Sequence, residues 1–333
     1  MRAVRVVAPG ELDVADIAEP NVTSEALVRV HRVGICGTDV KILAGAIPVD
    51  CPRVMGHEMV GEVARAGSRG IMSVGQRVMV DPATACGHCD LCWQGRPNLC
   101  LNGGLLGRDT DGVFSEYISA PESRLLPIPD SISDAASGLL QVLGTCVHAA
   151  RAANVFPGDT VAVVGLGVSG QIFVQLLRAR GATVIGITRS EWKRRLATEH
   201  GAAATAGPDQ AATTVAEMTG GRGADLVVES AGYESTLAQS IELTRTGGQV
   251  VVFGTLTGGD EGLPYYQLYH KELTVYNPRA ARPTDYQRGI ELAAAGVLDL
   301  ESIVTHTLTL ADAAEAFTLV KDPASLKVLM EVG

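Results

Sequence analysis

The pattern of apolar and polar positions is clearest between Thr160 and Arg180. Val161–Val164 is a β-branched apolar run of the kind that forms a buried strand, and the glycine-rich segment GLGVSG follows it. Apolar residues then recur at the spacing of one helix face, and a second apolar run begins at Thr183. This order predicts a strand, a tight turn, a helix and a second strand.

Strand and helix patterns continue to alternate as far as Tyr276. Strands that alternate with helices pair in parallel, so the pattern predicts an α/β fold with a doubly wound parallel sheet. The predicted strands of this sheet are Val161–Gly165, Thr183–Thr188, Asp225–Glu229, Gln249–Gly254 and Leu273–Tyr276.

The regions on either side of this sheet have different patterns. At 333 residues the chain exceeds what one hydrophobic core usually supports, so two domains are expected. The elements predicted outside the sheet are strands at Ala3–Val7, Ala26–Val33 and 112–119, a bridging helix at Ala135–Ala153, and, near the end, helix Tyr286–Ala295, strand Val304–Thr309, helix Ala311–Lys321 and strand Lys327–Val332.

Composition narrows the class of protein. Apolar residues make up 46% of the chain and charged residues 19%, which favours a globular enzyme over a disordered or fibrous protein. The formal net charge of −10 comes without a basic tract, so neither nucleic acid nor a membrane is expected as a partner. Because we find no signal segment and no apolar run long enough to span a bilayer, we expect a cytoplasmic protein.

The seven cysteines point to metal binding rather than disulfides, because their number is odd and no secretory signal is apparent. Four of them are closely spaced as C-x2-C-x2-C-x7-C and can enclose one zinc ion completely, which is typical of a structural site. These four are Cys86, Cys89, Cys92 and Cys100. An iron–sulfur cluster is the alternative, but Leu101 stands where such loops carry proline. His88 is expected to be an exposed loop residue.

A second candidate metal site combines Cys36 with His57. Cys36 lies at a predicted strand-to-helix corner, and His57 belongs to the segment Gly56-His57-Glu58. Each residue alone is most simply explained as part of a core. Together they provide the sulfur and imidazole ligands of a zinc site.

Gly165, Gly167 and Gly170 form a G-x-G-x-x-G motif between the predicted strand and helix. The first permits the turn, the second lets a pyrophosphate approach the backbone, and the third allows close packing, while the helix N-terminus faces the phosphates. A glycine turn in some other βαβ unit is the alternative. The context favours dinucleotide binding.

The end of the second strand indicates which dinucleotide binds. An NAD site places an acid here, whereas this chain has Thr188, Arg189 and Ser190, which can bind a 2′-phosphate. The sequence therefore predicts NADP. The alternative is that the cofactor is NAD and that Thr188-Arg189-Ser190 is only a polar turn. Glu191 is expected to point away. Lys193 and Arg194 are expected to be solvated helix residues, with a contribution to the positive field at this corner as the alternative.

Several separated motifs now occur in the order of one known family. GICGTD at 34–39, GHE at 56–58, the four-cysteine segment, the glycine motif and AAEAF at 313–317 resemble the zinc-dependent medium-chain dehydrogenases over essentially the whole chain. The resemblance implies a GroES-like β-barrel catalytic domain formed by residues 1–143 and 284–333, with a zinc lobe at 86–100. It also implies a Rossmann domain at 144–283, with the catalytic metal in the cleft between the domains.

Carried over residue by residue, the resemblance implies that Cys36 and His57 bind the catalytic zinc. Glu58 would stand behind the metal or move in as a ligand. Asp39 would accept the other ring N–H of His57, and Thr38 would take the proton from the alcohol.

Two residues depart from the family pattern. Gln141 occupies the position of the last protein ligand, usually Cys, Asp or Glu, and a neutral glutamine there is similar to the archaeal glucose dehydrogenases. Alternatively, Gln141 only lines the cleft and Glu58 completes the shell. Lys41 replaces a proton-relaying histidine, and it could relay a proton, contact a cofactor phosphate or simply lie at the surface.

The resemblance also implies an activity: hydride transfer between NAD(P) and a secondary alcohol or ketone, with one catalytic and one structural zinc ion per chain. The substrate would be a polyol, a sugar or a related small molecule. A zinc-stabilised NAD(P)H-binding sensor without turnover and a metal-free quinone-type reductase are the rival interpretations. Relatives form dimers at the position of Tyr265, Tyr266 and Tyr269, so a homodimer or homotetramer is expected. The remaining implied cofactor contacts are Val168, Ser230, Gly254, Thr255, Asn277 and Arg279.

Overall fold

The computed structural model describes residues 1–256 and 262–333, which divide into two compact units. The first unit comprises Met1–Gly144, Ala280–Gly296 and Leu300–Gly333. The second unit comprises Thr145–Arg279, within the described residues, and Val297–Asp299. The first unit is therefore assembled from both ends of the chain.

Strands occur in both units. In chain order they are β1 (Arg2–Ala8), β2 (Glu11–Asp16), β3 (Ala26–Gly34), β4 (Arg53–Val54), β5 (Glu58–Arg65), β6 (Arg77–Val80), β7 (Ala83–Thr84), β8 (Gly104–Leu105), β9 (Tyr117–Ala120), β10 (Leu125–Pro127), β11 (Thr160–Val164), β12 (Thr183–Ile187), β13 (Ala204–Ala206), β14 (Ala224–Glu229), β15 (Thr244–Val252), β16 (Thr274–Tyr276), β17 (Val304–Thr309) and β18 (Lys327–Glu331).

Helices connect these strands. They are α1 (Gly37–Leu43), α2 (Asp90–Trp93), α3 (Asp134–Ser137), α4 (Leu140–Ala152), α5 (Val168–Ala179), α6 (Glu191–Glu199), α7 (Ala211–Thr219), α8 (Glu234–Leu243), α9 (Tyr265–His270), α10 (Pro283–Ala294) and α11 (Ala313–Leu319). Across the two described stretches, none of them is both long and apolar enough to cross a membrane.

The second unit contains a six-stranded sheet in the order β13-β12-β11-β14-β15-β16. Every neighbouring pair in it is parallel. All five residues of β11 are buried, as expected for a strand covered by helices on both faces. The strand order is that of a Rossmann sheet, so the predicted doubly wound architecture is confirmed.

The first unit is built on a seven-stranded sheet in the order β10-β6-β5-β3-β18-β17, with β9 paired to β3. The C-terminal strand β18 lies antiparallel beside β3, which joins the two ends of the chain in one sheet. An edge-to-face contact between Phe114 and Phe317, with ring centroids 6.4 Å apart, joins the same two regions in the core.

The single bridging helix predicted at Ala135–Ala153 is wrong, because two helices, α3 and α4, occupy this segment. The helix is interrupted between them at Gly138. Because Gly138 has no side chain, the side chain of Leu329 fits beside it. A Cβ at Gly138 would lie 2.9 Å from the Leu329 methyl groups. The local sequence pattern of Ala135–Ala153 is that of one helix. It carries no information about the tertiary contact between Gly138 and Leu329 of β18, which interrupts the helix.

Candidate functional site

Cys36 lies between the end of β3 and the start of α1, where it is the N-cap residue of the helix. Asp39, in the first helical turn, accepts a hydrogen bond from the Cys36 N–H at 2.9 Å through Oδ2. Asp39 is completely buried, and a buried carboxylate requires such partners. The corner therefore holds a thiol and a carboxylate close together.

His57 is brought towards this corner by a turn at Gly56, just before β5. Gly56 has φ of 90°, and a Cβ there would lie only 2.1 Å from the Phe114 ring. The backbone N–H of Gly112 donates to the carbonyl of Val54 at 2.8 Å and fixes the strand entering the turn. Glycine is thus required at position 56 both for conformation and for space.

The ring of His57 faces Asp39. His57 Nδ1 lies 3.5 Å from Asp39 Oδ1, and among the described residues these two buried atoms have no hydrogen-bond partner. Burial opposes a charged ring, but the negative charges of Asp39 and Cys36 outweigh it and raise the pKa of His57 well above its ordinary value. A site that attracts a proton so strongly also suits a metal cation.

The ligand atoms of Cys36, His57 and Glu58 all lie within 4.8 Å of one another. Thiolate, imidazole and carboxylate are the three side-chain ligands that zinc prefers. An Nδ1–H directed at Asp39 would leave the Nε2 of His57 for the metal, as in carboxylate–histidine–metal arrangements. These residues therefore fit a zinc ion.

Glu58 is paired with a cation that the sequence analysis did not identify. Its carboxylate forms a buried ion pair with Lys327 of β18, and each side chain is only 2% exposed. Lys327 Nζ also donates to the carbonyl of Ile35 at 3.1 Å. Gly34 makes room for this pair, since a Cβ there would lie 2.5 Å from Glu58 Oε2 and 2.8 Å from Lys327 Nζ. Glu58 is thus held by Lys327 next to the metal-binding residues.

Gln141, in the first turn of α4, is buried and donates a hydrogen bond from Nε2 to the hydroxyl of Tyr286 at 3.4 Å. The Tyr286 ring packs against Gly144, where a Cβ would lie 2.1 Å away. Burial raises the pKa of Tyr286 well above its ordinary value, so the phenol stays neutral. Tyr286 therefore orients the amide of Gln141, a contact that the sequence analysis did not predict.

Thr38 and Lys41 both lie on α1 and are half-buried. They are three residues apart and so lie on neighbouring positions of the same helix face. The structure therefore places Thr38 in the first turn of the helix that Cys36 caps, and Lys41 one turn further along.

The four cysteines of the lobe, Cys86, Cys89, Cys92 and Cys100, converge as predicted. Their sulfur atoms lie 3.5 Å apart for Cys89 and Cys92, 3.8 Å for Cys89 and Cys100, and 3.5 Å for Cys86 and Cys100. Four sulfurs bound tetrahedrally at about 2.3 Å from one zinc would lie about 3.8 Å from each other. The lobe therefore fits one zinc ion with a closed sulfur shell.

His88 is exposed, as predicted, and its Nδ1 lies 2.8 Å from the carbonyl of Cys86. The pKa of the Cys86 thiol is lowered to about 6, mainly because the backbone N–H of His88 donates a hydrogen bond to its sulfur. A thiolate is therefore available to a metal at neutral pH.

In the second unit, the three glycines of the motif have different surroundings. Gly165 has φ of 92°, and a Cβ at Gly170 would lie 2.0 Å from the Gly165 carbonyl oxygen. A Cβ at Gly167, the N-cap of α5, would meet no atom within 4 Å. The backbone is thus open at Gly167, immediately before Val168 begins the helix. Such an open N-terminus suits a phosphate.

A cavity of about 540 Å³ lies at the carboxyl ends of β11 and β12. Among the predicted cofactor residues, Gly165, Thr188 and Arg189 line it.

The expectation that Arg194 is merely solvated is wrong, because its Nη1 donates to the carbonyls of Thr188 at 2.8 Å and Arg189 at 3.1 Å. Glu191 pairs instead with Arg195 on its own helix, at 3.1 Å. The guanidinium of Arg194 therefore fixes the backbone at the end of β12 through these two hydrogen bonds.

The other predicted cofactor residues are distributed along the carboxyl ends of later strands. Ser230 Oγ donates to the carbonyl of Gly165 at 2.6 Å. A Cβ at Gly254 would lie 2.4 Å from the backbone nitrogen of Gly232, so the two loops touch. Three further predicted residues are exposed and do not line the cavity described above: Thr255, Asn277 and Arg279.

Comparisons with known proteins agree with both units. The family model "Alcohol dehydrogenase GroES-like domain" matches residues 22–130, and "Zinc-binding dehydrogenase" matches residues 168–295. L-galactonate-5-dehydrogenase of Escherichia coli K12 is 34% identical over 88% of this chain and 87% of its own. Sorbitol dehydrogenase of Bacillus subtilis is 30% identical over 92% and 89%. The structure of a protein described as a zinc-binding dehydrogenase, from Sinorhizobium meliloti 1021 and bound to NADP, superposes with a TM-score of 0.92 at 34% identity, covering 99% of this chain and 98% of that one.

Proposed function

The chain belongs to the zinc-dependent medium-chain dehydrogenase family, and on that premise we propose that it transfers a hydride between NADP and a secondary alcohol or its ketone. The substrate class is a polyol, a sugar or a related hydroxylated small molecule, as the names of the E. coli and B. subtilis relatives suggest. One observation carries the proposal: the ligand atoms of Cys36, His57 and Glu58 converge within 4.8 Å beside the buried Asp39.

The two units have separate tasks in this proposal. Residues 1–143 and 284–333 would form the catalytic domain, with the catalytic zinc at Cys36 and His57 and the structural zinc in the four-cysteine lobe. Residues 144–283 would bind the cofactor. Supporting this division, both zinc-binding residue sets lie in the first unit and the glycine motif lies in the second.

The residues around the catalytic site would act on the alcohol proton. When bound, zinc would supply a Lewis acid for the substrate oxygen and NADP would supply the hydride acceptor. Thr38 would take the alcohol proton and pass its own towards solvent, past Lys41 on the same helix face. Asp39 would fix the ring orientation of His57. Gln141, oriented by Tyr286, would present its amide oxygen to complete the metal shell.

A nucleotide-binding sensor without turnover is the alternative function. Such a protein needs the lobe and the dinucleotide site but not a second complete set of metal ligands. The presence of Cys36, His57 and Glu58 next to Asp39 supports the enzyme.

The test combines a zinc analysis with an activity screen over polyols, sugars and amino-alcohols, using NADP and NAD. The enzyme proposal expects turnover that His57→Ala abolishes while NADPH binding is retained. Absence of turnover with every substrate, together with one zinc ion per chain, would support the sensor instead.

The preference for NADP is proposed from the corner at Thr188, Arg189 and Ser190. Arg189 can bind a 2′-phosphate with two parallel hydrogen bonds, and a charge-assisted contact is worth about 1.5–3 kcal/mol. Arg189→Ala should therefore raise the NADP KM roughly 10- to 150-fold and leave NAD kinetics nearly unchanged. Thr188→Asp should shift the preference towards NAD. A higher kcat/KM with NAD in the unchanged protein would overturn this assignment.

We also propose that the chain forms a homodimer or homotetramer through α9 and the edge strand β16. Tyr265, Tyr266 and Tyr269 are 69%, 73% and 82% exposed, and Val275 on the neighbouring strand is 40% exposed. Light scattering of the purified protein tests this. Tyr266→Asp and Tyr269→Asp together should lower the mass to that of one chain, and a monomeric unchanged protein would contradict the proposal.

A further inference from the structure

Gln171 is a buried amide one residue after the last glycine of the motif. Its side chain lies on α5 with no exposed surface, next to the apolar residues Ile172 and Phe173. Burying an amide is costly unless its hydrogen bonds are made. Such a residue in the middle of a core therefore needs specific partners.

The partners of Gln171 belong to two different parts of the dinucleotide site. Nε2 donates to the carbonyl of Leu166 at 3.4 Å and to the carbonyl of Lys193 at 2.9 Å. Leu166 lies between Gly165 and Gly167 in the glycine loop. Lys193 lies on α6, the helix that follows the corner at Thr188 and Arg189. One amide therefore joins the loop to this helix.

His200 fixes the orientation of this amide. Its Nδ1 lies 2.9 Å from Gln171 Oε1, and burial lowers the pKa of His200, so the neutral ring donates its N–H to that oxygen. Carbonyl oxygens can only accept, so the nitrogen of the amide must face Leu166 and Lys193. The buried amide thus has its oxygen and its nitrogen engaged.

The connection continues from α6 to the residues that line the cavity. Arg194, the residue after Lys193, donates to the carbonyls of Thr188 and Arg189. The side chain of Leu166 is also buried next to the same helix, since a Cβ at Gly186 would lie 3.1 Å from Leu166 and 3.5 Å from Ala197. Gln171 and Arg194 therefore link the glycine loop to the corner through α6.

We infer that Gln171 is a positioning residue that sets the spacing between the glycine loop and the Thr188–Ser190 corner, and so selects NADP over NAD. The inference rests on the proposed function. NADP must contact the loop with its pyrophosphate and the corner with its 2′-phosphate at once, whereas NAD has no 2′-phosphate to place. A change in spacing therefore weakens NADP more than NAD.

The test is Gln171→Met, which keeps the length and volume of the side chain and removes its hydrogen bonds. The control is Gln175→Met, one turn later on α5. Gln175 is also buried and exchanges two hydrogen bonds with the backbone of Asp299, at 3.0 and 2.6 Å, away from the cavity. Kd values for NADPH and NADH are measured by fluorescence titration, with a thermal melt for each variant.

Gln171→Met should raise the Kd of NADPH about tenfold and that of NADH less than about threefold. Gln175→Met should lower Tm but leave the ratio of the two Kd values unchanged. His200→Leu, which removes the donor that fixes the amide, should change the ratio in the same direction by a smaller factor, and it serves if Gln171→Met does not fold.

An unchanged ratio in the Gln171 variant, or an equal change in the Gln175 control, would overturn the inference while leaving the proposed function intact. Tighter binding of NADH than NADPH by the unchanged protein would overturn the inference together with the NADP assignment, and would leave hydride transfer itself untouched.

Discussion

The two candidate metal sites of the first unit are built in different ways. The lobe uses four equivalent sulfurs from one short segment, 86–100, and its spacing alone closes a tetrahedron. The second site combines a thiol from the corner before α1 with an imidazole and a carboxylate at the start of β5. Its partners come from distant parts of the chain: Lys327 pairs with Glu58, and Tyr286 accepts a hydrogen bond from Gln141, the further ligand proposed above. Four cysteines from one segment close the metal shell and suit a structural site. Mixed ligands from separate segments suit a catalytic site.

Charge separates the two sites as well. Four thiolates outweigh the charge of one zinc ion and leave the lobe negative. At the second site Cys36 and the buried Asp39 supply two negative charges, while that of Glu58 is balanced by Lys327. A metal there keeps more of its positive charge and is the better Lewis acid.

The largest effect is expected in the lobe. Cys89→Ser should lose the structural zinc and much of the solubility, because metal binding is coupled to local folding. Elemental analysis and a thermal melt measure both quantities. If one zinc ion is lost while Tm is unchanged, the lobe is not structural.

The next effect concerns the buried ion pair. Lys327→Met should lower the free energy of unfolding by about 3–5 kcal/mol, because it leaves the Glu58 carboxylate buried without its partner. The double variant Lys327→Met with Glu58→Gln should recover part of this loss in denaturant unfolding. Equal stability of the two variants would show that the unpaired Glu58 carboxylate is not the cause of the loss.

A smaller effect distinguishes the two candidates for the last metal ligand. Gln141→Ala should lower turnover roughly 10- to 100-fold and weaken the catalytic zinc, measured by competition with a chelator. Glu58→Ala is the matched variant. A silent Gln141→Ala combined with loss of zinc from Glu58→Ala would assign the position to Glu58.

The smallest effect is expected from Tyr286→Phe. It removes the acceptor of one long hydrogen bond from Gln141, so turnover should fall by about twofold to tenfold with little loss of zinc. The melt should change little, because the ring still packs against Gly144. A loss as large as that of Gln141→Ala would mean that Tyr286 acts on the substrate directly.

The sequence predicted local features of these sites better than distant ones. The lobe, the strand-to-helix corner at Cys36 and the parallel sheet follow from spacing and periodicity, which act within a few turns of chain. The pairing of Glu58 with Lys327 spans most of the chain, and only the register of β18 against β3 creates it. The one signal in the sequence was Lys327 itself, a lysine at the start of a strand whose other residues are mostly apolar. Likewise, the break at Gly138 depends on Leu329, which no local pattern contains.

The central claim is that one zinc site serves structure and the other serves catalysis, and zinc content tests it most directly. We predict about two zinc ions per chain in the purified protein, and about one in Cys36→Ser and in His57→Ala, with Tm and NADPH binding nearly unchanged in both variants. One zinc ion per chain in the unchanged protein, or unfolding of both variants, would contradict the account.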